Sequence, residues 1–409
     1  MQITLERPNT VRLAALPPLA LYVHIPWCVR KCPYCDFNSH ERTGDLPERE
    51  YVDALVGDLE GLLPSVWGRR LVSVFIGGGT PSLFSPEAID RLLSEVRARV
   101  PVEPGAEITL EANPGTVEAA RFRGYRQAGV NRLSLGVQSF DDRMLRAIGR
   151  IHSADEARRA IAIAREHFEN VNLDLMYGLP GQTLAMARAD IEEAARSGAQ
   201  HVSAYQLTIE PNTAFWSRPP RLPEHDACAD MQLAAEEVLA GAGYEQYETS
   251  AFAAPGRRCR HNLNYWEFGD YLGVGAGAHG KLSFADRVTR HERIKQPRDY
   301  LSRAANTLAA ENTISASELP FEFMLNALRL VQGFESSLYS DRTGLPLNTV
   351  EPQLARAERD GLIERDWRRV RPTRRGRLFL NELLEGFLAG ETPGRVPDSP
   401  GANRGSRTS

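Results

Sequence analysis

Cysteine is scarce in this sequence, with five in 409 residues. Three of the five fall within eight positions, a pattern that argues against a disulfide framework and suits a metal site better. Long apolar runs are absent as well: the opening residues hold no hydrophobic core of signal-peptide length, and nothing later approaches 18 consecutive apolar residues. Together these absences predict a cytoplasmic protein in a reducing environment.

An excess of positive charge is also missing. The 53 acidic residues outnumber the 49 basic ones and give a net charge of −4, which argues against general attraction to nucleic acid. One basic stretch differs, since residues 365–377 contain seven arginines around Trp367. Such a patch can contact phosphate, so nucleic-acid binding stays an alternative. We expect no nucleic-acid partner and favour a lid or a docking surface.

The three clustered cysteines are Cys28, Cys32 and Cys35, in a Cys-x3-Cys-x2-Cys spacing directly after an apolar strand. Thiolates this close together can hold one face of a metal cluster, whereas the next positions, Asp36 and Phe37, supply no fourth thiolate. Because a 4Fe–4S cube usually takes four cysteines, this loop would leave one iron open to another ligand.

A structural zinc site is the alternative for the same loop. Zinc commonly takes four protein ligands arranged as two separated pairs. The remaining cysteines, Cys228 and Cys259, stand alone and far away in the sequence. Either His24 or His40 could complete a tetrahedron, so the spacing leaves zinc open.

Six apolar, strand-like runs alternate with helical runs of ten to sixteen residues across the first half of the chain. Ser85-Pro86 predicts one helix start, and the pair Ser153 and Glu156 predicts a capping box at another. This alternation predicts a parallel α/β fold with right-handed crossovers, an incomplete (β/α)6 barrel. A doubly wound open sheet has the same periodicity and stays open as an alternative. The predicted strands are 19–26, 71–76, 107–111, 132–139, 171–177 and 202–208.

Polar residues lie late in these strands or just after them, where barrel proteins place their sites. Asp174 lies within the fifth strand, and a buried carboxylate there is costly unless it has a partner or a ligand. The other polar or glycine-rich segments at strand ends are the cysteine loop, the triple glycine 77–79, Glu111 and Gln138. Because they and Asp174 fall on one rim of the predicted barrel, we expect a ligand cavity there.

Beyond about residue 210 the pattern changes. A Gly- and aromatic-rich passage follows residue 259, and from about 300 two helical runs precede a basic, strand-like piece at 365–377 and a closing helix at 377–388. That order is typical of a winged-helix domain. The predicted organisation is a lead-in (1–18), a partial barrel (19–250), a connecting segment (251–300), a small winged-helix-like domain (301–390) and a disordered tail (391–409).

Several of these motifs resemble a known family. The cysteine loop after a first strand, with Gly-Gly-Gly-Thr-Pro after the second, resembles the radical S-adenosylmethionine (SAM) enzymes. Residues 22–26, 28–37, 77–81, 111–114, 136–138 and 174–180 are similar to the coproporphyrinogen dehydrogenase family. Within it, Cys35-Asp-Phe-Asn-Ser-His40 and His261-Asn-x-x-Tyr-Trp266 are similar to a haem-chaperone branch. The resemblance covers residues 19–390.

The resemblance implies two cofactors. A 4Fe–4S cluster on the three cysteines would bind the amino and carboxylate groups of SAM at its open iron, and reduction would then allow cleavage to a 5′-deoxyadenosyl radical. Glycines at 78 and 79 would let the backbone approach the methionine moiety. The matching positions, for one or two SAM molecules, are Tyr22, Tyr34, Gly78, Gly79, Thr80, Glu111, Gln138, Arg150 and Asp174.

One departure separates two functions within the resemblance. Coproporphyrinogen dehydrogenases carry a further cysteine two positions after the third, where this chain has Phe37, and they have a longer N-terminal segment. Both differences disfavour oxidative decarboxylation of coproporphyrinogen III, which stays the alternative function. The haem-chaperone branch instead implies that haem b is bound as cargo and passed to acceptor haemoproteins.

For the haem, the resemblance makes His261 the best candidate axial ligand, since imidazole is a standard haem ligand. Cys259 and His279 are weaker alternatives. The resemblance further implies haem-accepting proteins and an electron donor, and it allows a membrane-associated acceptor and a homodimer. The other implied haem-binding residues are Asn262, Tyr265 and Trp266.

Overall fold

A computed structural model describes residues 10–116, 119–303 and 306–388 of the chain. The predicted tail, 391–409, and residues 1–9 of the predicted lead-in lie outside this part. Within it, strands form one sheet of twelve strands, a second of three and a third of two. The large sheet contains the predicted barrel strands and, at both of its edges, strands from later in the chain.

Six strands of the large sheet run parallel and alternate with helices, as the sequence predicts. They appear in the sheet in chain order, β1-β4-β5-β6-β7-β8. The elements are β1 (Leu19–Ile25), β2 (Trp27–Cys28), β3 (His40–Glu41), α1 (Glu48–Leu62), β4 (Leu71–Gly78), α2 (Pro86–Arg99), β5 (Val102–Ala112), α3 (Ala119–Ala128), β6 (Arg132–Gln138), α4 (Asp142–Ala147), α5 (Ala154–His167), β7 (Val171–Tyr177), α6 (Leu184–Arg196) and β8 (His201–Gln206).

This strand order decides between the two predicted architectures. Each crossover advances by one strand in the same direction, which is how a barrel is wound. A doubly wound sheet reverses direction at a switch point, and no reversal occurs between β1 and β8. In the described part the sheet keeps two separate edges, at β9 (Glu245–Glu248) and β14 (Leu308–Thr313), so the barrel is incomplete.

Local sequence signals account for the helices of this half. The Ser85 hydroxyl accepts a hydrogen bond from the Ala88 amide at the start of α2. Ser153 and Glu156 form the predicted capping box of α5, which satisfies two amides that a helix start leaves without partners. The helices then bury their aliphatic faces: α2, for example, buries Ile89, Leu92, Leu93 and Val96.

Residues after β8 extend the sheet at both edges. β11 lies parallel beside β1, and β12, β13 and β14 continue antiparallel from it, while β10 and β9 follow β8. The passage 251–300, predicted as a connection, therefore contributes strands to both edges. These elements are α7 (Ala214–Ser217), α8 (His225–Gly241), β9 (Glu245–Glu248), β10 (Ala251–Ala253), α9 (Arg260–Trp266), β11 (Asp270–Val274), β12 (His279–Ser283), β13 (Val288–Arg293), α10 (Pro297–Ser302) and β14 (Leu308–Thr313).

The remaining elements form a small winged-helix-like unit, as predicted, with strand order β15-β17-β16. β15 and α12 were not predicted from the sequence. It was also wrong to extend the basic strand to residue 377, because Thr373 caps a helix there by accepting from the Gly376 amide. The elements are α11 (Leu319–Ala327), β15 (Phe334–Glu335), α12 (Ser336–Thr343), α13 (Glu351–Arg359), β16 (Ile363–Arg365), β17 (Arg369–Pro372), α14 (Arg374–Leu378) and α15 (Leu380–Glu385).

The six parallel strands define two ends of the barrel. The upper end is where their carboxyl termini meet, at Ile25, Gly78, Ala112, Gln138, Tyr177 and Gln206. The lower end is where they begin, at Leu19, Leu71, Val102, Arg132, Val171 and His201. Since parallel strands of a barrel present their sites at the carboxyl ends, the upper end is where a cofactor site is expected.

Candidate functional site

The cysteine loop leaves the upper end of β1 and is closed at its base by a short parallel pairing. β2 and β3 pair Trp27 with His40 and Cys28 with Glu41. Inside the loop, the Cys35 amide donates to the Cys32 carbonyl at 3.1 Å. This closure brings Cys28, Cys32 and Cys35 to the wall of one cavity.

Two thiols of this loop, those of Cys28 and Cys35, lie in surroundings that favour their protonated form. Burial raises the pKa of Cys28, and a hydrogen bond from Thr80 opposes the rise. Burial likewise raises the pKa of Cys35, whose Sγ lies 3.7 Å from the Ser39 hydroxyl. Since a raised pKa keeps a thiol protonated, iron binding would have to displace these protons.

A single zinc ion finds no support in this geometry. Both ring nitrogens of His24 already have partners, the Tyr22 hydroxyl and the Asn38 carbonyl, each at 2.9 Å. The Nε2 atom of His40 lies 3.2 Å from the Asn38 side chain. Within the described residues, no three His, Cys, Asp or Glu side chains are grouped to hold one metal ion. Around a cube, by contrast, each cysteine binds a separate iron.

The cavity measures about 450 Å³ and extends from the cysteine loop across the upper end to β8. All but one of the predicted SAM residues line it. Tyr22 is the exception: it lies below the cavity, with its hydroxyl on His24 and its ring 6.3 Å from that of Phe75. The predicted residues that line the cavity are Tyr34, Gly78, Gly79, Thr80, Glu111, Gln138, Arg150 and Asp174.

The two glycines of the triple-glycine turn allow a close approach within the protein itself. A Cβ atom on Gly79 would lie 2.6 Å from the Trp27 carbonyl oxygen, and one on Gly78 would lie 2.6 Å from the His24 ring. Gly78 also has φ +115°, a conformation that glycine adopts without strain. The turn is therefore packed against the base of the cysteine loop, which fixes β4 and the loop to each other.

Glu111 is a cavity carboxylate whose pKa is strongly perturbed by its surroundings. Its Oε2 accepts from the Gly78 amide at 3.0 Å. Burial, reinforced by the nearby Asp174 carboxylate, raises the pKa of Glu111 to about 8. A carboxyl held in this way would gain from a ligand that brings a cation or a hydrogen-bond donor to it.

Asp174 has partners of its own. Its two carboxylate oxygens accept from the Ser134 hydroxyl at 2.9 Å and from the Asn172 amide at 2.8 Å. Burial raises the pKa of Asp174, and these hydrogen bonds oppose the rise. The need for a partner, predicted from the sequence, is therefore met inside the chain as well as at the cavity wall.

Arg150 and Gln138 complete the wall beside the cysteines. Arg150 donates to the Gly136 carbonyl, and its Nη1 lies 3.8 Å from the Cys32 sulfur. Its Nε is buried and has no hydrogen-bond partner among the described residues. Gln138 has φ +69°, a left-handed conformation that is uncommon for a non-glycine residue and typical of functional sites.

These groups fit a 4Fe–4S cluster and SAM. Three thiols share the cavity wall. The buried Nε–H of Arg150 has no acceptor among the described residues, and the raised pKa of Glu111 would be lowered by a ligand that brings a cation or a hydrogen-bond donor. Further wall residues at the ends of β5, β7 and β8 were not predicted as site residues, although the rule that sites follow strand ends applies to them equally. They include Asn113, Met176, Tyr205 and Gln206.

The predicted haem residues lie elsewhere, in α9 below the barrel. His261 is only 3% exposed; its Nδ1 lies 2.9 Å from the Ser73 hydroxyl and its ring 5.0 Å from that of Phe75. Burial lowers the pKa of His261 to about 3, so its imidazole is neutral. Ser73 is five residues below Gly78 on β4, roughly 16 Å along the strand, so α9 occupies the lower end.

The other motif residues connect α9 to its surroundings. Tyr265 stacks on Tyr271 with ring centroids 4.2 Å apart, and Trp266 lies under the Arg329 guanidinium at 4.4 Å. Asn262 is half-buried. The structure thus brings the four predicted haem residues together on one helix and separates them from the cluster loop.

The two weaker candidates for a haem ligand differ in exposure. Cys259 is fully buried, and its thiol lies 3.3 Å from a Glu107 carboxylate oxygen. His279 is exposed at the start of β12. Neither residue lines the upper cavity.

The basic stretch 365–377 carries less free charge than its sequence suggests. Arg365 pairs with Glu351 and Glu358. Arg369 and Arg371 pair with further glutamates of the same unit. The patch is therefore partly neutralised by its own domain, while Trp367 at the turn between β16 and β17 is 89% exposed.

Comparison with known proteins adds two family matches. The profile of the radical SAM superfamily matches residues 22–194, and that of the HemN C-terminal domain matches residues 314–379. The first covers most of β1 and all of β4 to β7 but ends before β8, and the second covers most of the winged-helix-like unit. No helix of the described residues combines the length and apolar character that crossing a membrane requires.

Curated relatives match over nearly their whole length. Heme chaperone HemW of Haemophilus influenzae is 50% identical over 92% of this chain and 99% of that protein. Heme chaperone HemW of Escherichia coli is 49% identical over 92% of this chain and 100% of that protein. The solved structure of the coproporphyrinogen III oxidase HemN from Escherichia coli shares the fold, with a TM-score of 0.77 at 24% identity over 91% of this chain and 90% of that one.

Proposed function

The chain belongs to the HemW family within the radical SAM superfamily, and from that premise we propose that it is a haem chaperone that carries a 4Fe–4S cluster and SAM. In this proposal it binds haem b and delivers it to acceptor haemoproteins, with an electron donor as a further partner. A cytoplasmic, reducing location belongs to the same proposal, because such a cluster is sensitive to oxygen.

The observation that carries the cofactor proposal is the convergence of three cysteines and the strand-end polar residues on one cavity. Cys28, Cys32 and Cys35 would hold the cluster, and the open iron would supply a site for the amino and carboxylate groups of SAM. Glu111 would accept from the amino group or a ribose hydroxyl. Arg150 would offer its free Nε–H to a carboxylate.

For the haem, we propose His261 as the axial ligand. Because His261 is buried, this proposal requires a movement of α9. The Nε2 atom of His261 has no partner among the described residues, and its neutral imidazole is the form that binds iron. Because the side chain is packed between Ser73 and Phe75, ligation requires α9 to move away from the lower end of the barrel.

Anaerobic haem titration of the reconstituted protein tests this function. We expect stoichiometric haem uptake, transfer of that haem to an apo-haemoprotein, and no turnover of coproporphyrinogen III. Steady formation of protoporphyrinogen would instead support the dehydrogenase alternative. Absence of haem uptake by a protein with a full cluster would contradict the chaperone proposal.

The ligand is tested by comparing His261→Ala with His279→Ala in the same titration. Loss of an imidazole-ligated haem spectrum in the first variant alone would support His261. An unchanged spectrum in a folded His261→Ala protein would remove His261 as the ligand and leave the chaperone function standing.

A further inference from the structure

One cation of the cavity wall lies directly against a cluster cysteine. The Arg150 guanidinium approaches the Cys32 sulfur at 3.8 Å through Nη1. Its Nη2 is fixed by the Gly136 carbonyl at the end of β6. Two of the three guanidinium nitrogens are therefore engaged by the protein before any SAM contact, and the side chain is held in one orientation.

The other two cysteines face neutral donors. Cys28 is hydrogen-bonded by the Thr80 side chain, and the Cys35 sulfur lies 3.7 Å from the Ser39 hydroxyl. Each sulfur of the loop thus has a polar neighbour, and for Cys32 that neighbour carries a full positive charge. Because Arg150 is always protonated in proteins, this charge does not depend on pH.

Other charges near the loop are more exposed to water. Arg30 also lines the cavity, but it is exposed, as is Lys31, so solvent screens both charges. Glu111 and Asp174 line the far side of the cavity with raised pKa values caused mainly by burial. A partly buried guanidinium in contact with a ligand sulfur acts through a lower effective dielectric than these surface cations do.

We propose that Arg150 is a positioning residue: it orients Cys32 and makes the cluster easier to reduce. This role is in addition to any contact of Arg150 with SAM. The proposal rests on the cluster of the proposed function. One-electron reduction adds a negative charge to a group already surrounded by three thiolates, and no bond is broken. A fixed cation beside one thiolate stabilises the more negative state and so raises the reduction potential.

The test is an anaerobic redox titration of the cluster, with dithionite as reductant and electron paramagnetic resonance (EPR) as readout, in the absence of SAM. Leaving out SAM removes the effect of any Arg150–SAM contact. We expect Arg150→Gln and Arg150→Met to lower the potential by at least 59 mV, which for one electron is a tenfold loss of preference for the reduced state. The control Arg146→Gln removes an exposed arginine four residues away and should leave the potential near that of the wild type.

The outcomes separate this inference from the function it rests on. A neutral variant that holds a full cluster at the wild-type potential overturns the role of Arg150. If neither neutral variant assembles a cluster but Arg150→Lys does, a positive charge at this position is required, as proposed. Failure of the Lys variant as well would indicate a requirement for shape alone and would overturn the proposal. If the wild type itself holds no iron, the proposed function fails first.

Discussion

The two ends of the barrel differ in how the protein satisfies buried carboxylates, as two glutamates on the same strand show. Glu107, at the lower end of β5, accepts from the Cys259 thiol and from the amides of Arg260 and His261. Glu111, four residues higher, accepts from the Gly78 amide among the described residues, and its pKa is raised to about 8. The chain satisfies the lower carboxylate and leaves the upper one to a ligand.

Polar side chains at the end of a barrel do not by themselves identify a cofactor site. Both ends of the barrel are rich in polar side chains, but the lower end is closed by α9 and the upper end opens into a cavity. Buried polar atoms at the lower end that have no partner among the described residues include Nε2 of His261. Because this nitrogen could bind haem iron although the side chain is packed in the protein, haem binding and structural packing must be tested separately at α9.

The largest expected effect comes from removing a cluster ligand at the upper end. Cys32→Ser should abolish assembly of an intact 4Fe–4S cluster, because two thiolates and a hydroxyl hold a cube poorly. Iron and sulfide counts with an absorption spectrum under anaerobic conditions measure this. Cys228→Ser is the matched control, a buried cysteine away from the cavity wall, and should keep the cluster. Equal iron content in both variants would remove the cluster assignment.

At the lower end, His261→Ala should destabilise the protein without emptying the cluster site. The change leaves a void beside Phe75 and removes the hydrogen bond to Ser73, a cost of about 2–3 kcal/mol in the free energy of unfolding. Chemical denaturation measures the cost, and the exposed His279→Ala should stay within roughly 0.5 kcal/mol of wild type. If iron content falls with stability, the two ends are not independent.

Glu111 predicts a pH dependence confined to the upper end. Its folded-state pKa of about 8 lies above the ordinary value of 4.5. Proton binding by Glu111 therefore contributes to the free energy of unfolding in full below pH 4.5. This contribution is lost as the pH rises from 4.5 to about 8. Denaturation curves of Glu111→Gln should lack this loss.

The same carboxyl should make SAM binding depend on pH. If SAM donates to the ionised form, its affinity rises by up to tenfold per pH unit as the pH approaches about 8 and levels off above it, with proton release on binding below pH 8. Calorimetry in two buffers of different ionisation enthalpy measures the released protons. A SAM affinity independent of pH in the wild type would contradict a direct contact with Glu111.

The smallest effect concerns the attachment of α9 to the small domain. Trp266→Leu removes the contact with the Arg329 guanidinium, worth about 1 kcal/mol. Arg329 keeps its ion pair with the buried Glu248 at 3.1 Å, so no charge is left without a partner. Trp67→Leu, at a side chain that is 88% exposed, should be nearly neutral in the same denaturation experiment. Equal effects would show that Trp266 does not couple α9 to the small domain.

The sequence predicted the upper end well because its signals are local. Alternating strands and helices predicted an incomplete barrel and left a doubly wound sheet open, and the observed strand order decides for the barrel. The rule that sites follow strand ends placed Glu111 and Gln138 on one rim, and both line the cavity. The close backbone approach to SAM at Gly78 and Gly79 came from the family resemblance and stays a prediction; within the protein, Gly78 packs against the His24 ring.

The lower end could not be predicted because its contacts join distant parts of the chain. His261 meets Ser73 across 188 residues and Glu107 across 154. Periodicity carries no information about such pairs. For the same reason the parallel placement of β11 beside β1 was missed: β11 lies in a passage rich in glycine, and a neighbour from 251 positions earlier leaves no local trace.

The most direct test of the central claim is an electron–nuclear double resonance spectrum of the reduced, anaerobically prepared protein with SAM labelled by ¹⁵N at its amino group. Our account predicts a cluster signal whose shape changes on adding SAM and that shows coupling to the labelled nitrogen. A cluster signal that SAM leaves unchanged, with no nitrogen coupling, would contradict the assignment of the upper cavity as a site where SAM meets an open iron.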